Sequence, residues 1–291
     1  MDFLEQALIS KRINEMNRFG RARIYPKIRE FLPEKRARVL DLVNHGLAMV
    51  DDTLDINFPP EGQLENIIQM FRLSYFGEVV NASTDVEKVV VELGSILKEM
   101  SCVSFLKTTD YLIGKKTYQE VLNYWETEKI NFQRKWKILN RKKLDEIARG
   151  IGSSVALQVL YILDSPKVYN EFIPLSRAYG LAVKLADNLC DYKEDIANGF
   201  VNIPQKDINY LGGVSIENGR VVNVDLDNLN LSKEYIDREY KRVGEVFASA
   251  DRLMLLARAR RPIWSKKTDE KLSLLGQFCN TWFNQAREFA K

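Results

Sequence analysis

Residues 181–195 read LAVKLADNLCDYKED, in which an aspartate stands at every fourth position: Asp187, Asp191 and Asp195. Four residues are slightly more than one turn of an α-helix, so each carboxylate is offset by about 40° from the one before it. The three carboxylates are therefore expected on one helix face, where like charges repel each other and destabilise the helix. A bound cation would remove that repulsion, and hard carboxylate oxygens suit Mg²⁺. We call these three residues the aspartate ladder.

A second acidic cluster consists of Asp51, Asp52 and Asp55. It ends a helix that the spacing of apolar residues predicts from about residue 34 to about residue 56. The helix dipole disfavours negative charge at that end by about 0.3–1 kcal/mol per exposed group, so stability alone does not account for the cluster. If the two helices are neighbours, the carboxylates flank one cavity. Such a cavity suits Mg²⁺ ions that bridge to a diphosphate, because Mg²⁺ usually takes few carboxylates plus substrate phosphates.

The remaining chain reads as helices joined by short connections. Apolar residues recur at helical spacing, and a Thr-x-x-Glu capping box predicts a helix start at Thr84 and another at Thr117. One segment differs, because short β-type runs flank Asn218-Gly219 and predict a hairpin near 214–224. We therefore expect a single all-α domain over residues 1–291 with a small β-hairpin insertion.

The composition limits the classes of function. The 43 basic and 40 acidic residues nearly balance, which does not favour a nucleic-acid partner. The three cysteines lie far apart and the N-terminus lacks the layout of a signal peptide, so we expect a cytoplasmic protein. The single histidine, His45, excludes a His-rich metal site, and the sequence has no Gly-rich dinucleotide loop that would indicate NADPH.

Three stretches of the chain, taken in order, carry a family pattern. FLPEKR at 31–36 precedes the helix that ends in VDDTLD at 50–55, DNLCDYKED occupies 187–195, and GFVNIP follows at 199–204. In order and spacing they resemble the squalene and phytoene synthases, the head-to-head branch of the isoprenoid synthases, whose second motif is usually written NxxRDxxED. The likeness spans roughly residues 20 to 205.

The resemblance implies an isoprenoid-synthase-like helical bundle around a central, mostly apolar cavity. It also implies a prenyltransferase that uses two or three Mg²⁺ ions and a prenyl diphosphate, C15 or C20. Head-to-head condensation to a squalene- or phytoene-like product is one expected outcome, and an apolar product would favour peripheral membrane contact.

In this interpretation the carboxylates hold metal and nearby cations hold the diphosphate. The groups expected to assist departure of the diphosphate from an allylic carbon are Asp51, Asp55, Asp187 and Asp191. The predicted metal ligands are Asp51, Asp52, Asp55, Asp187, Asp191 and Asp195. The predicted diphosphate ligands are Lys184, Arg23 and Lys193.

The chain also departs from the family pattern. Asp187 stands where the family usually has Asn, Cys190 where it has Arg, and Lys184 where it has Gln. The metal ligands are therefore retained better than the residues expected to steer condensation of two substrates. Two alternatives within the fold stay open: a terpene synthase that ionises a single prenyl diphosphate, and a non-catalytic isoprenoid-binding or partner subunit. A third is an unrelated all-α, Mg²⁺-carboxylate pyrophosphohydrolase that acts on nucleotides.

Overall fold

The structure is a computed structural model that describes residues 21–50, 62–102, 109–163, 169–260 and 266–291. Most of these residues are helical, and the β-strands found among them lie within residues 211–231. The predicted all-α class with a small β insertion is therefore confirmed. The acidic cluster at Asp51, Asp52 and Asp55 lies outside the described residues.

The described residues form long helices connected by short loops. In chain order the helices are α1 (Arg21–Glu30), α2 (Glu34–Asp41), α3 (Gly62–Phe76), α4 (Asp85–Ser101), α5 (Thr109–Phe132), α6 (Arg141–Leu163), α7 (Tyr169–Cys190), α8 (Tyr192–Ala197), α9 (Lys233–Arg260) and α10 (Lys266–Phe289). A π-helical turn, Leu42–Gly46, follows α2, and residues 47–50 continue as helix. A 3₁₀-helix, Gln205–Tyr210, precedes the strands.

The start of α4 shows how local sequence sets a helix boundary. The Thr84 hydroxyl accepts a hydrogen bond from the Glu87 amide, and the Glu87 carboxylate accepts one from the Thr84 amide. This is the predicted capping box, and it satisfies two amides that the first turn leaves without helical partners. Val89, Leu93 and Leu97 then lie on the buried face of α4.

The second predicted capping box, at Thr117, is wrong. Helix α5 begins at Thr109 and passes through Thr117 without a break. Thr117 is fully buried, and its hydroxyl has no hydrogen-bond partner among the described residues. The helix continues there because α5 packs against α6 and α4 along its length, and that burial outweighs a local capping preference.

The β insertion contains two short antiparallel pairs. Strand β1 (Leu211–Gly212) pairs with β4 (Asn230–Leu231), and β2 (Val214–Glu217) pairs with β3 (Arg220–Val224). Asn218 and Gly219 join β2 to β3 with φ of 50° and 72°. Both residues are thus left-handed, as a two-residue hairpin turn requires, and the hairpin predicted near 214–224 is confirmed.

The hairpin is tied to the segment that follows the aspartate ladder. The Val221 amide donates to the Trp136 carbonyl at 2.9 Å, and the Trp136 amide donates to the Gly199 carbonyl at 2.7 Å. Val201 and Val221 share a small second apolar core. The loop between α5 and α6 therefore fixes the backbone directly after the ladder.

Helices α6 and α7 approach each other so closely that their backbones touch. A Cβ atom added at Gly152 would lie 2.1 Å from the Gly180 carbonyl oxygen, and one added at Gly180 would lie 2.1 Å from the Gly152 carbonyl oxygen. Helix α6 is the one described helix long and apolar enough to cross a membrane, but 72% of that apolar window is buried inside the fold. The contact with α6 fixes the position of α7, which carries Asp187, the first residue of the ladder.

Candidate functional site

The aspartate ladder crosses the junction between two helices. Helix α7 ends at Cys190 and α8 begins at Tyr192, with Asp191 between them at φ −98° and ψ 15°. Nevertheless, the Asp191 amide donates to the Asp187 carbonyl and the Asp195 amide donates to the Asp191 carbonyl, each at 2.9 Å. Because this helical hydrogen-bond spacing persists, the three carboxylates stay about one turn apart. The three carboxylates are close enough to affect one another's ionisation, although a single helix does not carry them, and their role as metal ligands stays a prediction.

The ladder carboxylates are difficult to ionise together. Burial, together with the charges of Asp187 and Asp195, raises the pKa of Asp191 to about 8. Burial also raises the pKa of Asp195 to about 7, although Lys184, Asn202 and Arg134 offset part of the effect. Loss of hydration on burial, which disfavours the charged form, is the larger cause of both shifts, and repulsion between the carboxylates adds to it. The ladder therefore gains stability from any cation that reaches it.

Lys184 supplies one such cation from within the chain. Its ammonium contacts the Asp187 carboxylate at 2.9 Å, and its side chain is only 24% exposed. Burial by itself would lower the pKa of Lys184, but Asp187, Asp195 and Glu128 outweigh burial and raise the pKa. Lys184 therefore remains charged at physiological pH and neutralises part of the ladder.

A second cation, Arg134, is linked to Asp195 through Asn202, and the sequence did not predict this link. Arg134 is 5% exposed, and its guanidinium donates to the Val201 carbonyl at 3.0 Å and to Asn202 Oδ1 at 2.6 Å. The Asn202 amide nitrogen in turn donates to Asp195 Oδ2 at 2.6 Å. Burial lowers the pKa of Arg134 to about 10, so the group still carries its charge at neutral pH.

Lys184, Arg134 and Asp195 border a small pocket of about 30 Å³, which we call the ladder pocket, while Asp187 and Asp191 are not among its lining residues. That volume holds an ion or one or two water molecules. Asn188 lines the pocket, and its buried Oδ1 atom has no hydrogen-bond partner among the described residues. The other lining residues include Glu128, Asn131, Arg134, Lys184, Asp195, Phe200 and Asn202. Leu144, Ile147, Ala148 and Ile151 form an apolar part of the lining, and the pocket is too small to hold a prenyl chain.

The other predicted site residues have different outcomes. Lys193 lies on α8 with its side chain exposed, and the described lining of the ladder pocket does not include it. Arg23 belongs to α1, but its side chain lies outside the described residues. The second cluster, Asp51, Asp52 and Asp55, lies outside them too. Of the predicted residues, the structure therefore brings together Lys184, Asp187, Asp191 and Asp195.

The ladder supplies part of a metal site. Within the described ranges, no group of three or more His, Cys, Asp or Glu side chains is already arranged to hold a metal ion. The donors that are present are carboxylate oxygens and the unpartnered Asn188 Oδ1, and such hard oxygens are the ligands that Mg²⁺ takes. The residues therefore fit Mg²⁺ by donor type, with substrate oxygens or residues outside the described ranges needed to complete the shell.

The pKa values of the ladder predict how the metal-free protein responds to pH. An acid whose pKa is raised on folding binds more protons in the folded state, so stability falls as pH rises from the unfolded value near 4 to about 8. We expect the free energy of unfolding in EDTA to drop by about 2 kcal/mol between pH 5 and pH 8, less than the full shifts imply because Asp191 is partly exposed. Thermal unfolding at intervals of one pH unit measures the drop.

The control for this prediction is the double variant Asp191→Asn with Asp195→Asn. It lacks both titrating groups, so its stability should change much less over the same pH range. Added Mg²⁺ should restore stability to the wild-type protein at pH 8. A wild-type stability that rises from pH 5 to pH 8 in EDTA would contradict the assigned pKa shifts.

Neither a scan of protein-family models nor a search of curated proteins finds a match for this chain. The likeness to squalene and phytoene synthases therefore rests on the residues at 31–36, 50–55, 187–195 and 199–204. It stays a prediction.

Proposed function

We propose that this protein is a Mg²⁺-dependent enzyme that ionises an allylic prenyl diphosphate. The observation that carries the proposal is the close grouping of Asp187, Asp191 and Asp195 with Lys184, of which Lys184 and Asp195 line the ladder pocket. A site that combines clustered carboxylates with a fixed ammonium suits a substrate carrying a diphosphate and its metal ions. The ammonium would contact phosphate oxygens, and the carboxylates would hold the metal.

In this proposal each residue has a separate role. Asp187, Asp191, Asp195 and the cluster at 51–55 would hold Mg²⁺. When bound, Mg²⁺ supplies Lewis-acid stabilisation of the departing diphosphate. Lys184 would donate hydrogen bonds to diphosphate oxygens. Phe200 lines the pocket and packs edge-on against Phe132 at 5.5 Å between ring centroids, so this aromatic pair shields one side of the site from water.

A second function, isoprenoid binding without turnover, is favoured by one observation. The Lys184 ammonium already pairs with Asp187, and a fixed internal cation makes a metal less necessary for stability. Such a protein would bind a prenyl diphosphate and release it unchanged. Substrate turnover distinguishes the two functions.

The test is incubation of the protein with C10, C15 and C20 prenyl diphosphates in Mg²⁺ or in EDTA. We expect inorganic diphosphate to be released with at least one substrate in Mg²⁺ only, and the organic product identified by mass gives the reaction. Tight calorimetric binding of a prenyl diphosphate without release would support the binding function. Binding of a nucleoside triphosphate in preference to all three prenyl diphosphates would overturn both and favour a nucleotide pyrophosphohydrolase.

A further inference from the structure

Arg134 occupies a position that its charge alone does not explain. It lies in the turn that follows α5, is almost fully buried, and uses its donors on neutral acceptors: the Val201 carbonyl, Asn202 Oδ1 and Asn131 Oδ1 at 3.0, 2.6 and 2.7 Å. Desolvating a guanidinium is costly, so a site that serves packing alone would favour an apolar side chain. The contacts of Arg134 indicate a role in orienting its neighbours.

The chemistry of the guanidinium fixes which way the Asn202 amide faces. Arginine has only donors, so the group of Asn202 that meets it must be the carbonyl oxygen. The amide nitrogen of Asn202 is then turned toward Asp195, where it donates to Oδ2 at 2.6 Å. Without Arg134 the amide has no such constraint, because its two ends are nearly the same size.

The same logic applies on the other side of the pocket. Arg134 Nε donates to Asn131 Oδ1, which turns the Asn131 amide nitrogen toward Glu128 Oε2 at 3.0 Å. Glu128 also lines the ladder pocket, and it is only 4% exposed. One guanidinium therefore orients, through two asparagines, two carboxylates that border the same pocket.

We propose that Arg134 is a positioning residue, which holds the Asn202 amide so that the Asp195 carboxylate is fixed in orientation toward a divalent cation at the ladder. This inference rests on the proposed function for the cation, but the positioning itself is a property of the metal-free protein. In this role Arg134 would not contact the diphosphate or the metal itself. It acts through Asn202, just as hydrogen-bonded partners of metal ligands commonly fix the ligand that they contact.

The first test uses the metal-free protein. In protein labelled with ¹⁵N-asparagine, the Asn202 side-chain NH₂ signals are assigned by their loss in Asn202→Leu. We expect the exchange of these protons with water to become at least about tenfold faster in Arg134→Gln, because the amide is no longer held against Asp195. Exchange should be unchanged in Arg38→Gln, the matched control, which loses the two-point ion pair of Arg38 with Glu92 on α2 and α4.

The second test measures binding of Mn²⁺, a paramagnetic substitute for Mg²⁺, by electron paramagnetic resonance in the presence of inorganic diphosphate, which supplies the remaining oxygen ligands. We expect about tenfold weaker binding in Arg134→Gln and in Asn202→Leu, the usual effect of losing such a partner. Arg134→Lys should be intermediate, because an ammonium lacks the planar fork that meets three acceptors at once. Melting temperatures of the metal-free variants confirm that each one folds.

The outcomes separate this inference from the proposed function. Unchanged amide exchange in a folded Arg134→Gln protein overturns the positioning role, and so does unchanged Mn²⁺ affinity where the wild type binds Mn²⁺. If the wild type does not bind Mn²⁺ at all, the proposed function fails, while the exchange measurement still decides whether Arg134 positions Asn202.

Discussion

Asp191→Asn is expected to lower Mg²⁺-dependent release of diphosphate from a prenyl substrate by at least about 100-fold, because a lost metal carboxylate removes several kcal/mol and about 1.4 kcal/mol is tenfold in rate. Asp191 is the central member of the ladder, with Asp187 and Asp195 on either side. Asparagine has nearly the same shape as aspartate but carries no charge. Release of inorganic diphosphate under saturating Mg²⁺ measures the effect.

The same substitution is expected to stabilise the metal-free protein, because it removes a carboxylate that its neighbours repel. Activity and stability thus move in opposite directions, which is typical of a group retained for function. Asp237→Asn is the matched control: Asp237 makes an exposed ion pair with Lys233 at 3.1 Å on α9, so both quantities should stay within experimental error. Full activity in Asp191→Asn would contradict the proposal that the ladder holds the metal needed for release of diphosphate.

The predictions that proved correct depend on short-range signals. The capping box at Thr84 and the Asn218-Gly219 turn each specify a backbone conformation within a few residues, and the structure has both. The four-residue spacing of the ladder likewise places its carboxylates together, because helical hydrogen bonds continue across Asp191. Such features can be predicted because the residues that determine them are neighbours in sequence.

The features that were missed depend on packing between distant segments. The capping pattern at Thr117 is the same as that at Thr84, but burial against neighbouring helices keeps α5 continuous there. Arg134 meets Asn202 across 68 residues of sequence, and FQRKW around it reads as an ordinary charged helix end. No pattern within one segment indicates that contact, because it arises only when the α5–α6 loop packs against the segment after the ladder.

Gly180→Ala is expected to reduce the free energy of unfolding by about 2–3 kcal/mol, the usual cost of overpacking, even though alanine favours helix over glycine by about 1 kcal/mol. The new Cβ atom would lie 2.1 Å from the Gly152 carbonyl oxygen, and helix backbone cannot rotate away as a flexible side chain can. Helices α6 and α7 must therefore separate. Urea unfolding of the metal-free protein measures the loss.

The matched control is Gly244→Ala on α9, where the nearest atoms to an added Cβ are ring carbons of Phe283 at an ordinary 3.5 Å. That variant should gain up to about 1 kcal/mol from helix propensity, the opposite sign. The double variant Gly152→Ala with Gly180→Ala should lose less unfolding free energy than the two single variants lose together, because the first substitution already separates the helices. If Gly180→Ala were as stable as the wild type, or if the double variant lost the full sum of the two single losses, α6 and α7 would not be in backbone contact. In that case the position of α7, and with it the geometry of the ladder pocket, would have to be fixed by its contacts with α9 and α10 instead.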